Sequence, residues 1–351
     1  MKTIELNGEK ESILVGEGQP IIINCNFGIN NLAELDIEKD KIKRLFNCSE
    51  TAPNTIMDLS LLNGLFPIAE FVRNNYGIPI GIVPIYGLNI NFDSKDLIDQ
   101  IHSQAKNKIS FMTMHITADL DLYEMAVRTR KIPVTSRGGK IILNNTLQHN
   151  QRLNVYRRNI DTIIELSNFY GFAISLGTTF RPAGICDACD EVHIKETIRQ
   201  IELAQYLTSK GCKVIIENVG HIGLDKLPSH CALLRQADVP IMPLGPVVLD
   251  SSIGSDHISA SIGAAMMGYF DALNIINVIT PAEHLHSKFT YDDVAEGIKA
   301  AKIAARSVNY TKFSEYAMSE HDIYTQRSKK RDCIIGNTRE CTRCDTNCPL
   351  K

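Results

Sequence analysis

The sequence predicts an α/β chain: a (β/α)8 TIM-like barrel with a helical C-terminal extension that carries a Cys-rich tail. Three observations lead there. Short apolar, β-branched runs alternate with helix-period segments along most of the 351 residues, the pattern of a parallel sheet wrapped by helices. Seven to nine such repeats over roughly 270 residues suit a barrel, which takes about 250. Unusual polar residues also gather where the strand-like runs end, and in a barrel those ends converge on one mouth. A doubly wound open sheet is the alternative, but no GxGxxG follows the first strand.

The strand-like runs are IIINCNFG (21–28), TIMDLS (55–60), PIGIVPIYG (79–87), ISFMTMHIT (109–117) and IPVTSRGG (132–139), followed by FAISLGTT (172–179), KVIIENVGH (213–221), VPIMPLGPV (239–247) and INVITPAEH (276–284). Several are apolar on both faces, as buried parallel strands are. NVYRRNIDTIIELSNFYG (154–171) and KETIRQIELAQYLTSKG (195–211) read as helices closed by a C-terminal glycine. Residues 1–18 read as a hairpin turning near Asn7-Gly8. Residues 19–290 then form the barrel, 291–330 two C-terminal helices and 331–351 the tail.

Composition narrows the function. A net charge of −3 offers no footprint for nucleic acid. The opening MKTIELNGEKESIL lacks the charged-then-apolar pattern of a signal peptide, and no apolar run is long enough to span a bilayer. A cytoplasmic chain is expected, with no membrane partner. Its ten cysteines would then stay reduced and serve as buried hydrophobes, ligands or nucleophiles.

The residues able to carry chemistry fall into five groups. In the tail RECTRCDTNCPLK, three thiols could hold a [4Fe–4S] cluster with one iron open to S-adenosylmethionine. With Cys333 as fourth ligand they could instead close a structural zinc site, and spacing alone does not choose. SRGG (136–139) combines a hydroxyl, a guanidinium and two glycines, a phosphate cradle or a plain Gly-rich turn. His221 and His284, each near a glutamate (Glu217, Glu283), could share a divalent metal, although spacing alone favours separate histidines without one. CDACDE (186–191) reads as two ordinary loop thiols with flanking acids. In DSSIGSDHISASIGAAMMGYF (250–270) a polar loop enters a small-residue helix. That helix either faces an anion or packs closely, and Asp256 and His257 are candidates for proton transfer or for orienting a metal ligand.

In order along the chain, NCNFG, TIMDLS, IPIGIVPIYG, TMHIT, SRGG, SLGTTFRPAG, VIIENVGH, PLGPVVLD, GSDHISASIGAAMMGYFDA and VITPAEHL resemble the phosphomethylpyrimidine synthase (ThiC) family, which includes the related 5-hydroxybenzimidazole synthase. The resemblance covers about residues 18–310 and the tail. It implies an atypical radical-SAM lyase with a (β/α)8 barrel, acting on 5-aminoimidazole ribonucleotide or a close phosphorylated relative. It implies a homodimer in which each cluster tail reaches the partner's active site, and an electron donor such as flavodoxin or ferredoxin. By motif position the substrate would meet Asn26, Met57, Tyr86, His115, Ser136, Arg137, Gly138, Arg181 and Glu217. The resemblance also implies His221 and His284 as ligands of a divalent metal (Zn or Fe), and Cys341, Cys344 and Cys348 as cluster ligands. Several positions depart from the family pattern. Thr178-Thr179 replace an acid and a glycine, Met242 replaces a tyrosine, IEGPGH reads IENVGH, and the tail is C-x2-C-x3-C where the family has C-x2-C-x4-C. By the same resemblance, the family's large N-terminal domain is expected to have no counterpart here. These changes predict a kept phosphate end and an altered base or ribose end of the pocket, and so a different product as the alternative.

Overall fold

The computed structural model describes residues 2–89, 91–335 and 341–351. It divides into two compact units, residues 1–305 and 306–351.

The first unit is the barrel. It opens with β1 (Ile4–Asn7) and β2 (Ser12–Val15), paired antiparallel with Asn7 opposite Ser12, which is the expected hairpin. Leu6 and Val15 are fully buried. Ser110 Oγ donates to Asn7 O, Lys213 Nζ to Glu5 O and Lys10 N–H to Gly77 O. Those three partners lie just before three of the staves that follow, so the hairpin closes the N-terminal end of the barrel and leaves the opposite mouth for chemistry.

Seven parallel strands run in the order β11-β3-β4-β5-β6-β7-β8. They are β3 (Ile22–Phe27), β4 (Thr55–Asp58), β5 (Ile80–Ile82), β6 (Phe111–Met114), β7 (Ala173–Leu176), β8 (Val214–Ile216) and β11 (Ile275–Asn277). The eighth stave is the segment 239–242. Ile216 N–H donates to Pro240 O and Met242 N–H to Ile216 O on one side; on the other, Asn274 and Ile275 N–H both donate to Ile241 O. Prolines 240 and 243 lack the N–H that a full ladder needs, so this stave closes the ring without forming a regular strand. Above it, β9 (Val219–His221) pairs in parallel with β10 (Leu244–Val247) and extends the wall at the mouth.

The helices follow the expected alternation: α1 (Leu35–Phe46), α2 (Pro67–Asn75), α3 (Ser94–Lys106), α4 (Leu120–Thr129), α5 (Arg137–Gln148), α6 (Val155–Arg158), α7 (Ile160–Tyr170), α8 (Glu191–Ser209), α9 (Leu227–Leu234), α10 (Asp256–Tyr269), α11 (Tyr291–Lys312) and α12 (Ser314–Lys330). Gly171 ends α7 in the left-handed region at φ 77°, as its position in the sequence anticipated. The helix expected over 154–171 is interrupted at Asn159, whose side chain donates back to Val155 O and across to Ser94. IPVTSRGG is not a strand. Ser136 Oγ accepts the Gly139 N–H at 3.1 Å and caps α5, so the β-branched run before it is only the approach to a helix. At α10 the close-packing reading holds: a Cβ on Gly263 would lie 2.4 Å from Pro246 O, so the helix meets β10 backbone to backbone.

Glu196 on α8 joins three of these layers. Its carboxylate is fully buried and accepts from Thr117 Oγ1 (2.9 Å), Thr178 Oγ1 (2.7 Å), Thr179 N–H (2.6 Å) and Phe180 N–H (2.8 Å). Burial pushes its pKa up, and the donors oppose that shift. Arg130 pins the same loop, donating to Phe180 O and, through two nitrogens, to the Asp190 carboxylate that caps α8. Among the described residues, no helix is long and apolar enough to cross a membrane. Glu196→Ala strands two backbone N–H groups and two hydroxyls, and is expected to lower unfolding stability by about 3–5 kcal/mol in urea titration.

Candidate active site

One cavity of about 670 Å3 opens at the C-terminal mouth of the barrel. Asn26, Met57, Tyr86, His115, Ser136, Arg137, Arg181 and Glu217 all line it, and so do His221, Glu283 and His284. They come from strand ends around the ring or the loops after them, so barrel closure brings together residues up to 258 positions apart, from Asn26 to His284. Gly138 lies behind this surface, against His115. Asp58, another strand-end acid, is buried away from the cavity, where it accepts from the N–H groups of Ser60 and Ala69 at the entry to α2.

The SRGG segment presents the N-terminus of α5 to the cavity. Helix N-termini carry unpaired N–H groups and a partial positive charge, which suits an anion. Arg137 adds a guanidinium 5.8 Å from the Tyr86 ring centroid. Burial raises the Tyr86 pKa, against the pull of Arg137, Arg181 and the Gly138 N–H, so the phenol stays protonated and able to donate. Ser136 Oγ is 2.7 Å from His115 Nε2. Burial first, then the charge of Arg181, lowers the His115 pKa to about 3, so this imidazole is neutral at working pH. A Cβ on Gly138 would fall 2.3 Å from His115 Cε1, and one on Gly139 2.4 Å from Thr179 Cγ2. Both glycines are therefore needed to bring α5 down onto the barrel rim.

Glu217 is a buried acid in the cavity wall. Thr113 and Ser175 hydroxyls both donate to its Oε1, the second at 2.8 Å. Burial raises its pKa, opposed by these donors and by Arg181. Neither hydroxyl was singled out in the sequence; both lie within strands β6 and β7, inward of the polar ends that were. Below the cavity, Asn24 links Asn26, Asn277 and Thr55 in one hydrogen-bonded floor.

His221 and His284 approach each other, with ring centroids 5.4 Å apart. Asp250 holds the first through Nδ1 at 2.8 Å, and Asp256 holds the second through Nδ1 at 2.8 Å. A carboxylate can only accept, so each Nδ1 donates, and each Nε2 is the ring atom left for a cation. Such carboxylate–histidine pairs are the usual supports of a metal ligand, and the two residues fit the divalent ion expected of them. Asp256 has the orienting role anticipated for it. Asp250 was missed, although it ends the PLGPVVLD phrase.

Two expectations change. Thr178, Thr179 and Met242 are fully buried, and none of them lines the cavity. The threonines serve Glu196, and Met242 belongs to the closing stave. The altered base or ribose end predicted from them is therefore not found in the cavity wall. CDACDE is not simply a pair of loop thiols either. Cys186 is exposed, but Cys189 lies against two buried histidines.

In the second unit, Cys333 and Cys344 are exposed and Cys341 and Cys348 half-buried, all as free thiols. The Asp332 carboxylate accepts from Ile334 N–H and Cys341 N–H, folding the chain back before a short turn at Asp345–Asn347. Residues 336–340 of the tail lie outside the described residues. Three accessible thiols within this short segment fit the donor set of a cluster.

A closed parallel barrel with phosphate-type and metal-type features at one mouth defines an α/β-barrel enzyme class. A sequence profile of the Radical SAM ThiC family matches residues 2–334, and the chain belongs to that family. It is similar to the phosphomethylpyrimidine synthase of Sulfurisphaera tokodaii, 30% identical over 97% of this chain and 86% of that protein. The phosphomethylpyrimidine synthases of Ignicoccus hospitalis (32%, covering 93% and 76%) and Pyrococcus furiosus (32%, covering 90% and 76%) are comparably similar.

Two outcomes test the site. Gly138→Ala drives a methyl group into the buried imidazole and is expected to cost about 1–3 kcal/mol of stability, read by thermal or chemical unfolding. The second concerns pH. His115 is neutral when folded and titrates near 6.5 when unfolded, so its stabilising share is complete above that value and is lost as pH falls toward about 3. Between pH 7 and pH 5 the wild type should lose about 2 kcal/mol more than His115→Gln; equal losses would show that the ring is protonated in the fold.

Proposed function

We propose that this chain is a radical-SAM lyase that rearranges 5-aminoimidazole ribonucleotide, or a close phosphorylated relative, to a phosphomethylpyrimidine-type product. One observation carries the reading: the capped N-terminus of α5, with Arg137, faces the same cavity as Glu217 and the His221–His284 pair. A phosphomonoester seated on the α5 N–H groups and Arg137 leaves the base and ribose to meet Asn26, Tyr86, Arg181 and Glu217. Neutral His115 and Ser136 then line the wall beside it. That Thr178, Thr179 and Met242 stay out of the cavity favours the relatives' reaction over a different product such as 5-hydroxybenzimidazole.

When bound, a [4Fe–4S] cluster on Cys341, Cys344 and Cys348 together with S-adenosylmethionine supplies one-electron chemistry. A divalent ion, Zn or Fe, on His221 and His284 supplies a fixed positive charge with open coordination positions. The chain's own part is to bind phosphate, fix the ring against Glu217 and exclude water around a reactive centre. We place the tail of one copy at the mouth of a second copy in a homodimer, with reduction by a flavodoxin- or ferredoxin-type donor.

The test is anaerobic reconstitution with iron and sulfide, followed by reduction with 5-aminoimidazole ribonucleotide and S-adenosylmethionine present. Brown protein releasing phosphomethylpyrimidine and 5′-deoxyadenosine is expected. Colourless protein holding stoichiometric zinc and cleaving nothing would overturn the proposal. In the same assay Arg137→Ala should lose about ten- to hundred-fold in kcat/KM, the worth of a charge-assisted phosphate contact, while keeping its cluster.

A further inference from the structure

On the outer side of the β8–β9 turn, away from the cavity, Cys189, His193 and His230 converge. A thiol sulfur and one nitrogen from each imidazole all lie within 4.8 Å of one another. The two rings are tilted against each other, with centroids 4.5 Å apart and planes inclined by 32°. Both histidines are buried, at 0% and 1% exposure, and Cys189 is half-buried at the edge.

Asn218 decides which nitrogens keep a lone pair. Its Nδ2 donates to Gln200 Oε1 (2.6 Å) and Thr197 Oγ1 (3.2 Å), which fixes the amide so that Oδ1 points the other way. That oxygen accepts the Val219 N–H at 2.6 Å and meets His230 Nε2 at 2.8 Å and His193 Nε2 at 3.3 Å. An amide oxygen only accepts, so both Nε2 atoms carry protons and both Nδ1 atoms keep lone pairs. His193 Nδ1 accepts the Cys189 N–H at 3.1 Å. Among the described residues, His230 Nδ1 is buried with no hydrogen-bond partner. A buried lone pair left unpaired is costly and rare, and calls for an explanation.

We propose that Cys189, His193 and His230 form a second divalent-cation site, of the zinc class, with three protein ligands and a fourth position for water. One thiolate with two neutral imidazoles is the donor set zinc takes, and calcium or magnesium refuse. A common acceptor holding both ring N–H groups is the outer support such ligands use. The three donor atoms lie within 4.8 Å of one another, and each would stand about 2.0–2.3 Å from a tetrahedral ion. On binding, Cys189, in a loop at φ 58°, gives up its N–H bond to His193 and frees that Nδ1 for the ion. The ion would tie the start of α8 to α9. Through Asn218 it would also brace the turn that carries Glu217 and His221, where Val219 sits at the unfavourable φ of 77°.

The probe is cobalt(II) added to chelator-treated full-length protein, in which Cys333, Cys341, Cys344 and Cys348 are all replaced by Ser to remove the tail's thiols. A thiolate-to-cobalt charge-transfer band saturating at one equivalent is expected, with a rise in unfolding temperature on binding. Cobalt on His221 and His284 gives no such band, because among the described residues no thiol converges with those two rings. Cys189→Ser in this background, a small change at a half-buried loop position, should abolish both the band and the thermal rise. His230→Gln, which keeps a polar group against Asn218, should weaken cobalt binding at least ten-fold; circular dichroism without metal checks that both variants are folded. Absence of the band in the tail-substituted protein, or its survival in folded Cys189→Ser, would overturn the proposal.

Discussion

The carboxylate of Glu196 is the contact on which the mouth of the barrel depends. Four donors from two loops meet it where water cannot, so the loops after β6 and β7 have one arrangement relative to α8. Breaking the set leaves buried N–H groups with no alternative partner, which is why it acts as a clamp and not as one bond among many. Arg181 follows directly on Phe180 in that loop, and Thr179 is the surface on which Gly139 rests. The positions of a pocket cation and of the α5 N-terminus therefore both trace back to one buried acid.

The pocket itself is built by division of labour. Backbone N–H groups and guanidinia, a buried acid held by two hydroxyls, and two carboxylate-supported histidines share one cavity. None of these groups is far from its neighbour in space, yet each belongs to a separate β/α unit. Small residues make the approach possible: with any side chain at 138, helix and imidazole could not share the space. Membership in the Radical SAM ThiC family gives this arrangement its chemical context, and the cavity wall carries none of the substitutions that set the sequence apart at 178, 179 and 242.

Much of this was legible in the chain. Strand-and-helix alternation gave the barrel, because buried parallel strands and amphipathic helices leave different periods. Polar residues at strand ends gave the mouth, because in a closed barrel nothing else lies there. Asn26, Tyr86, His115, Arg181, Glu217 and the two rim histidines were all found this way. The Gly171 cap and the hairpin ahead of the barrel were readable for equally local reasons.

What the sequence could not decide were questions of partnership. IPVTSRGG has the composition of a strand, and only the Ser136–Gly139 hydrogen bond makes it a helix start. VPIMPLGPV closes the ring with a stave whose prolines forbid a regular ladder, so its role depends on β8 and β11 being in place first. Thr178 and Thr179 looked like a changed pocket because position in a motif does not say which way a side chain turns; an acid seventeen or eighteen residues on claimed them. CDACDE gained meaning only when α9 brought His230 beside it and Asn218 set the tautomers. By itself the sequence determined the periodicity, the caps and the family. Long-range packing decided which donor meets which acceptor, because hydrogen bonds across a barrel join residues that no local pattern links.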